Sequence, residues 1–160
     1  MIMRRFLLMV FVLCSLNVFA FHFGRSVGKK VEFCAYRFED QYFLILQFED
    51  DDNCRLTQSA IVKFKLKDGS VIRLSGFDSS QKTEHGYGMG IGTLNGSSTD
   101  THFAVLPISK EDVERLKIGV NKIAINSIPE VYMRDSWANK SKFGQQLYED
   151  FQKLKDEFGE

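Results

Sequence analysis

The chain has 160 residues and 18.4 kDa, with 44% apolar and 26% charged side chains and an even 21 basic against 21 acidic. That composition excludes a wholly disordered chain. Two prolines, no internal repeat and no biased tract exclude a linker or a fibrous protein.

The even charge does not hold along the chain. Residues 1–20 read as a secretory signal peptide, with Arg4 and Arg5 as the positive start and Phe6–Leu13 as the apolar centre. Val18 and Ala20 are the small residues three and one before a cut, which places cleavage after Ala20. An uncleaved anchor is the alternative, but the apolar run falls short of the roughly 20 residues a spanning helix needs. Removal leaves 19 basic against 21 acidic side chains, a net charge of −2, in one domain's length of chain. Slight acidity speaks against nucleic acid as a partner, because such binders concentrate basic charge. Export places the protein in the periplasm, at the cell surface or in the medium. Cys14 departs with the signal, and in an oxidising compartment Cys34 and Cys54 become a candidate disulfide. It would close a loop of about 20 residues, worth roughly 3 kcal/mol; two buried free thiols are the alternative.

Residues 21–30 read as a flexible arm and 31–160 as a single globular domain. Val31–Phe38 is a predicted strand, Glu39–Gln41 a turn and Tyr42–Phe48 a second strand, apolar on both faces and so central to the core. Ala60, Val62, Phe64 and Leu66 alternate with Ile61, Lys63, Lys65 and Lys67, the period-two pattern of a half-buried strand. The chain returns from Val71 to Phe77. A three-residue loop, Asp68–Ser70, keeps the apolar side chains on one face by pairing Leu66 with Ile72 and Phe64 with Leu74, with Gly69 near positive φ. Gly86, Gly88, Gly90 and Gly92 form a bare glycine face, and His102–Leu106 is a further strand ended by Pro107. Ser109 with Asp112 caps a short helix over Lys110–Lys117 with Val113 and Leu116 inward, and Gly119 stops it. Val120–Ser127 is a strand, Pro129–Met133 is extended, and Phe143, Leu147, Phe151, Leu154 and Phe158 mark one stripe of a long terminal helix. The fold class is therefore α+β and β-rich: an antiparallel sheet or sandwich, one short helix, and a long C-terminal amphipathic helix packed on the sheet.

Chemistry is sparse. His22, His85 and His102 lack metal spacing, and no Cys-x-x-Cys, P-loop, dinucleotide fingerprint or Gly-x-Ser-x-Gly elbow occurs, so no catalytic, cofactor or metal residue is assigned. Glu84 beside His85 is the one candidate acid–base pair. The run Glu49–Asn53 suits calcium by charge but breaks the EF-hand pattern at Cys54 and Arg55, and a solvated turn is the simpler reading. Lys63, Lys65, Lys67 and Arg73 share the outward face of the predicted hairpin, where they keep the sheet wet or meet an anionic polymer. Tyr132 and Trp137, near Arg134, Asp135 and Asn139, are a candidate sugar platform, or else Trp137 packs the last helix onto the sheet.

The signal Met1–Ala20, the Lys67-Asp68-Gly69-Ser70 hairpin, the Ser109–Asp112 helix start followed by Lys122–Ile125, and the Lys142–Phe158 helix together resemble small exported bacterial proteins of unknown function. That resemblance implies an envelope or secreted domain and transfers no site. The reading is a non-catalytic binding or interaction module whose partner is an envelope protein or polysaccharide, with no membrane span once the signal is cut. The alternative is a small hydrolase or lyase built on the Glu84/His85 loop. A third expectation, a partner-docking terminal helix, requires Phe143, Phe151 and Phe158 to be exposed.

Overall fold

The computed structural model describes residues 24–50, 54–78 and 101–157, the side chains of residues 77 and 78 excepted. Residues 1–20, read as a signal peptide, and His22, Glu84, His85, the glycine run and Phe158 lie outside the described residues. Ten strands run in chain order: β1 (Arg25–Val27), β2 (Val31–Phe38), β3 (Gln41–Glu49), β4 (Arg55–Leu56), β5 (Ser59–Leu66), β6 (Val71–Asp78), β7 (Thr101–Ile108), β8 (Val120–Ile125), β9 (Ser127–Ile128) and β10 (Tyr132–Arg134). Helix α1 (Lys110–Arg115) precedes β8, and α2 (Lys140–Glu157) closes the chain. Eight strands form one antiparallel sheet in the order β1-β2-β3-β7-β6-β5-β8-β10, while β4 and β9 pair separately. The β-rich α+β class with a short helix and a long terminal helix is thus what the chain adopts.

The sheet curls on itself. Phe33 of β2 and Phe64 of β5 stand 5.5 Å apart edge to face, although three strands separate them in sheet order. Phe48 of β3 meets Tyr132 of β10 at 5.6 Å, and the Tyr132 hydroxyl donates to the Val27 carbonyl of β1 at 3.3 Å. The two ends of the strand order are therefore bridged. The curl has a corner at Gly76, just before β6 pairs with β7 through Phe77↔Val105. A Cβ at Gly76 would stand 1.9 Å from the Val105 carbonyl oxygen, so no larger residue fits the corner unmoved.

Helix α2 fills the concave side. Phe143, Leu147 and Phe151 are buried, each contributing about 2 kcal/mol by removal from water. Phe143 lies 5.8 Å from Phe33 and 6.2 Å from Phe64, and Phe151 lies 5.6 Å from Tyr42. With Phe143 2% and Phe151 1% exposed, the expected docking stripe is core instead. Arg25 of β1 grips Asp150 of α2 with two nitrogens, at 2.6 and 2.7 Å.

β3 is buried on both faces, as its sequence predicts: Tyr42, Leu44, Leu46 and Phe48 enter the main core, and Phe43 packs with Val105 on the other side. Ser109 Oγ accepts the Asp112 N–H at 3.0 Å, capping α1, and Gly119 with φ 92° ends the 3-10 turn Leu116–Ile118 that follows. The β5–β6 hairpin has a three-residue connection and Gly69 at φ 88°, but the loop is Lys67–Gly69. Phe64 pairs with Ile72 and Val62 with Leu74, two residues from the expected register. A slip of two keeps every side chain on its face, so alternation alone cannot exclude it. The turn itself decides: Leu66 N–H donates to Ser70 O, Gly69 N–H to Leu66 O, and Asp68 Oδ1 accepts from both Ser70 N–H and Ser70 Oγ. Those hydrogen bonds also hold the exposed Asp68 carboxyl below its ordinary pKa.

Three further expectations are corrected. The segment read as a loose arm contains β1, which pairs Arg25–Val27 with Val31–Phe33. Pro107 lies inside β7 opposite Phe43 rather than ending the strand. β6 pairs with β7 only at Ala104 and Val105, so near Pro107 the strand has one partner and tolerates the missing donor. Cys34 and Cys54 are both free thiols. Phe33 and Ala35 flank Cys34 and pack into the main core, so Cys34 points out of the opposite face. Cys54 packs against the main core itself. A sheet separates the two sulfurs.

Candidate functional site

The outward face of β5, β6 and β8 carries the most concentrated charge among the described residues. Alternation sends Val62, Phe64 and Leu66 inward and Lys63, Lys65 and Lys67 outward. Register then assembles the neighbours: Lys63 lies opposite Arg73 on one side and Ala124 on the other, and Lys65 opposite Val71 and Lys122. Such partners stand about 5 Å apart at Cβ, and successive outward residues along a strand about 7 Å apart. A bulge between Lys65 and Leu66 against β8 sets Val120 inward and leaves Lys122 beside Lys65. Lys67 follows at the turn, its N–H donating to Gly119 O at 2.9 Å.

Five cations thus share a patch three strands wide. No ion pair among the described residues reaches any of them; Asp150, Asp40, Asp50, Asp112 and Glu114 pair instead with Arg25, Arg37, His102, Arg115 and Lys117. Two of the cross-strand pairs, Lys63–Arg73 and Lys65–Lys122, are like charges directly opposite, which is destabilising in a sheet. Exposed Val71 and Met133 flank the cations in the same rows, since Met133 lies opposite Ala124. The other half of the sheet differs: the outward Phe43, Ile45 and Val105 of β3 and β7 are buried.

Asp50 and His102 form a second constellation. Asp50 Oδ2 lies 2.7 Å from His102 Nε2, and Oδ1 accepts the Leu56 N–H at 2.9 Å. A carboxylate holding an imidazole is an arrangement general bases use. Here the same carboxylate also anchors β4, so it ties β3, β4 and β7 together. Asp50 is 9% exposed, which removes it from any solvated acidic turn, and no group of three or more metal-binding side chains occurs among the described residues.

Tyr132 and Trp137 are not displayed as a flat platform. The Tyr132 ring packs edge-on against Phe48, its hydroxyl accepts from Arg134 Nε at 3.0 Å, and the guanidinium lies 5.5 Å from the ring centre. Trp137 packs edge to face on Phe143 at 5.6 Å and pins the start of α2. Ser127 Oγ shapes the approach to β10, donating to Glu130 O at 2.5 Å and accepting the Tyr132 N–H at 2.8 Å. An open groove of about 440 Å³ lies between the β2–β3 turn and the start of α1, lined mainly by Tyr42, Phe43, Pro107 and Ile108, with Asp40 and Lys110 at its rim.

Sequence reasoning found Lys63, Lys65, Lys67 and Arg73 but missed Lys122, which only strand pairing brings beside Lys65. It also missed Asp50–His102, whose partners sit on different strands of the fold. No protein-family model, curated protein or solved structure matches the chain. No helix among the described residues is long and apolar enough to cross a membrane.

Proposed function

We propose that the chain is an exported, non-catalytic binding module of the periplasm or cell surface that engages an anionic envelope partner through the outward face of β5, β6 and β8. One observation carries the reading: five cations stand together with no ion pair to any of them among the described residues, including two like-charged cross-strand pairs that lower stability. Envelope polymers and surfaces rich in phosphate or carboxylate complement such a face. The test is association of the purified protein with isolated cell envelopes, wild type against Lys63→Glu/Lys65→Glu. Both positions are exposed, so the variant keeps its fold and loses association. Equal association by the two proteins refutes the reading. Fractionation of the producing cells tests export, and a mature chain beginning at Phe21 is expected.

A further inference from the structure

We infer that the partner met by this face is an anionic lipid surface, an inference that rests on the reading of the face as the binding site. The cations form a two-dimensional array across the outward side of three neighbouring strands. Such a layout meets many phosphates spread over a plane and gives no single anion a cradle of converging donors. The apolar rim points the same way. Val71 is 49% exposed, Met133 56% and Ile118, one residue before Gly119, 39%. Apolar side chains beside Lys and Arg suit the boundary between headgroups and acyl chains. An acidic polysaccharide is the rival occupant, but sugar recognition uses aromatic faces and side-chain amides. Beside the cations this face carries Ala124 and, one row on, Ile61 and Ser75, and the nearby Tyr132 and Trp137 rings pack half-buried against the core. Helix α2, by contrast, is balanced, with Lys140, Lys142, Lys153 and Lys155 against Glu149, Asp150, Asp156 and Glu157, so a negative surface is drawn to the sheet face rather than to the helix.

The test is co-sedimentation of the full chain with phosphatidylcholine vesicles, with and without about one-third phosphatidylglycerol. The neutral vesicles report any lipid affinity of the apolar residues 6–20, and the variants, which keep Arg4 and Arg5, separate the face from the charge of that segment. Wild type binds the anionic vesicles more strongly, and the difference shrinks as salt rises from about 0.1 M to about 0.5 M. Each cation removed lowers partition about fivefold, so Lys63→Gln/Lys65→Gln loses about 25-fold, whereas Lys153→Gln on exposed α2 surface changes nothing. Met133→Gln weakens binding with the salt dependence kept. Equal binding to neutral and anionic vesicles, or a double variant that binds as wild type, overturns the inference. Retention on an acidic polysaccharide without vesicle binding also overturns it but leaves the binding-module reading standing. Loss of envelope association in the Glu variants is what that broader reading requires.

Discussion

Replacing Gly144 by Ala tests how closely α2 is seated. In an ordinary exposed helix this change stabilises by about 0.5–1 kcal/mol, because Ala gives up less backbone freedom on folding. At Gly144 the added Cβ would stand 2.5 Å from the Leu116 carbonyl oxygen, 3.1 Å from Gly119 Cα and 3.2 Å from Val120 N. All three are backbone atoms, so no rotamer change relieves the contact. The helix must lift by several tenths of an ångström or more, separating Phe143 and Leu147 from the sheet they fill. Overpacking of this kind costs about 1–3 kcal/mol. Set against the helix gain, the net loss is about 1–2 kcal/mol, which lowers Tm by roughly 3–8 °C for a domain of this size. Thermal unfolding followed by circular dichroism reads it, with Gln145→Ala, one position along and exposed, as the control expected within about 0.5 kcal/mol. A Gly144→Ala protein that melts at or above wild type refutes backbone contact between α2 and the 3-10 turn.

Lys65→Glu converts a repulsive cross-strand pair with Lys122 into an attractive one and should raise stability by about 0.2–1 kcal/mol in low salt. A lower Tm would show that the cations are part of the scaffold. Cys34 is pushed up to about 11, first by burial and then by the nearby Asp150 charge. The folded state therefore favours the neutral thiol: its contribution is complete below the ordinary thiol pKa and is lost as pH rises through about 11. Tyr36, raised by burial, adds to the same alkaline loss. Cys34→Ala should flatten that limb of the unfolding profile, and iodoacetamide should label native Cys34 far more slowly than the unfolded chain at pH 8, as read by mass spectrometry. Asp150→Asn breaks a bidentate, half-buried pair with Arg25 and should cost about 1 kcal/mol in urea unfolding. An unchanged midpoint would mean that β1 is held by its strand pairing alone.

Local chemistry was the part of the fold that could be read in advance. Ser109 and Asp112 named the start of α1, Gly119 the end of the 3-10 turn that follows it, and Gly69 the left-handed turn, each because one residue type suits one backbone geometry. The stripe at Phe143, Leu147 and Phe151 named the buried face of α2 by the same logic of period. Partner choice was not legible. Alternation fixes which face Phe64 occupies and leaves Ile72 and Leu74 as equal candidates for its neighbour. The Cys34–Cys54 pairing followed from spacing and compartment alone, yet opposite faces of a sheet keep the two thiols free. Tyr132 and Trp137 carried the composition of a sugar site, but the core also uses such rings. The cationic face lies between these cases: the lysines of β5 were visible, while Lys122 entered through a long-range pairing with a bulge in it.

The clasp between Arg25 and Asp150 joins residues 125 positions apart. A chain made from its N-terminus therefore exposes its first strand long before the carboxylate that secures it exists. The hairpins β2–β3 and β5–β6 can assemble from neighbouring residues, but the seam where the first strand meets the last helix must wait for nearly the whole polypeptide. Order in this domain is sealed from the C-terminal end, and a nascent chain halted short of α2 would hold an open sheet with its aromatic core in water.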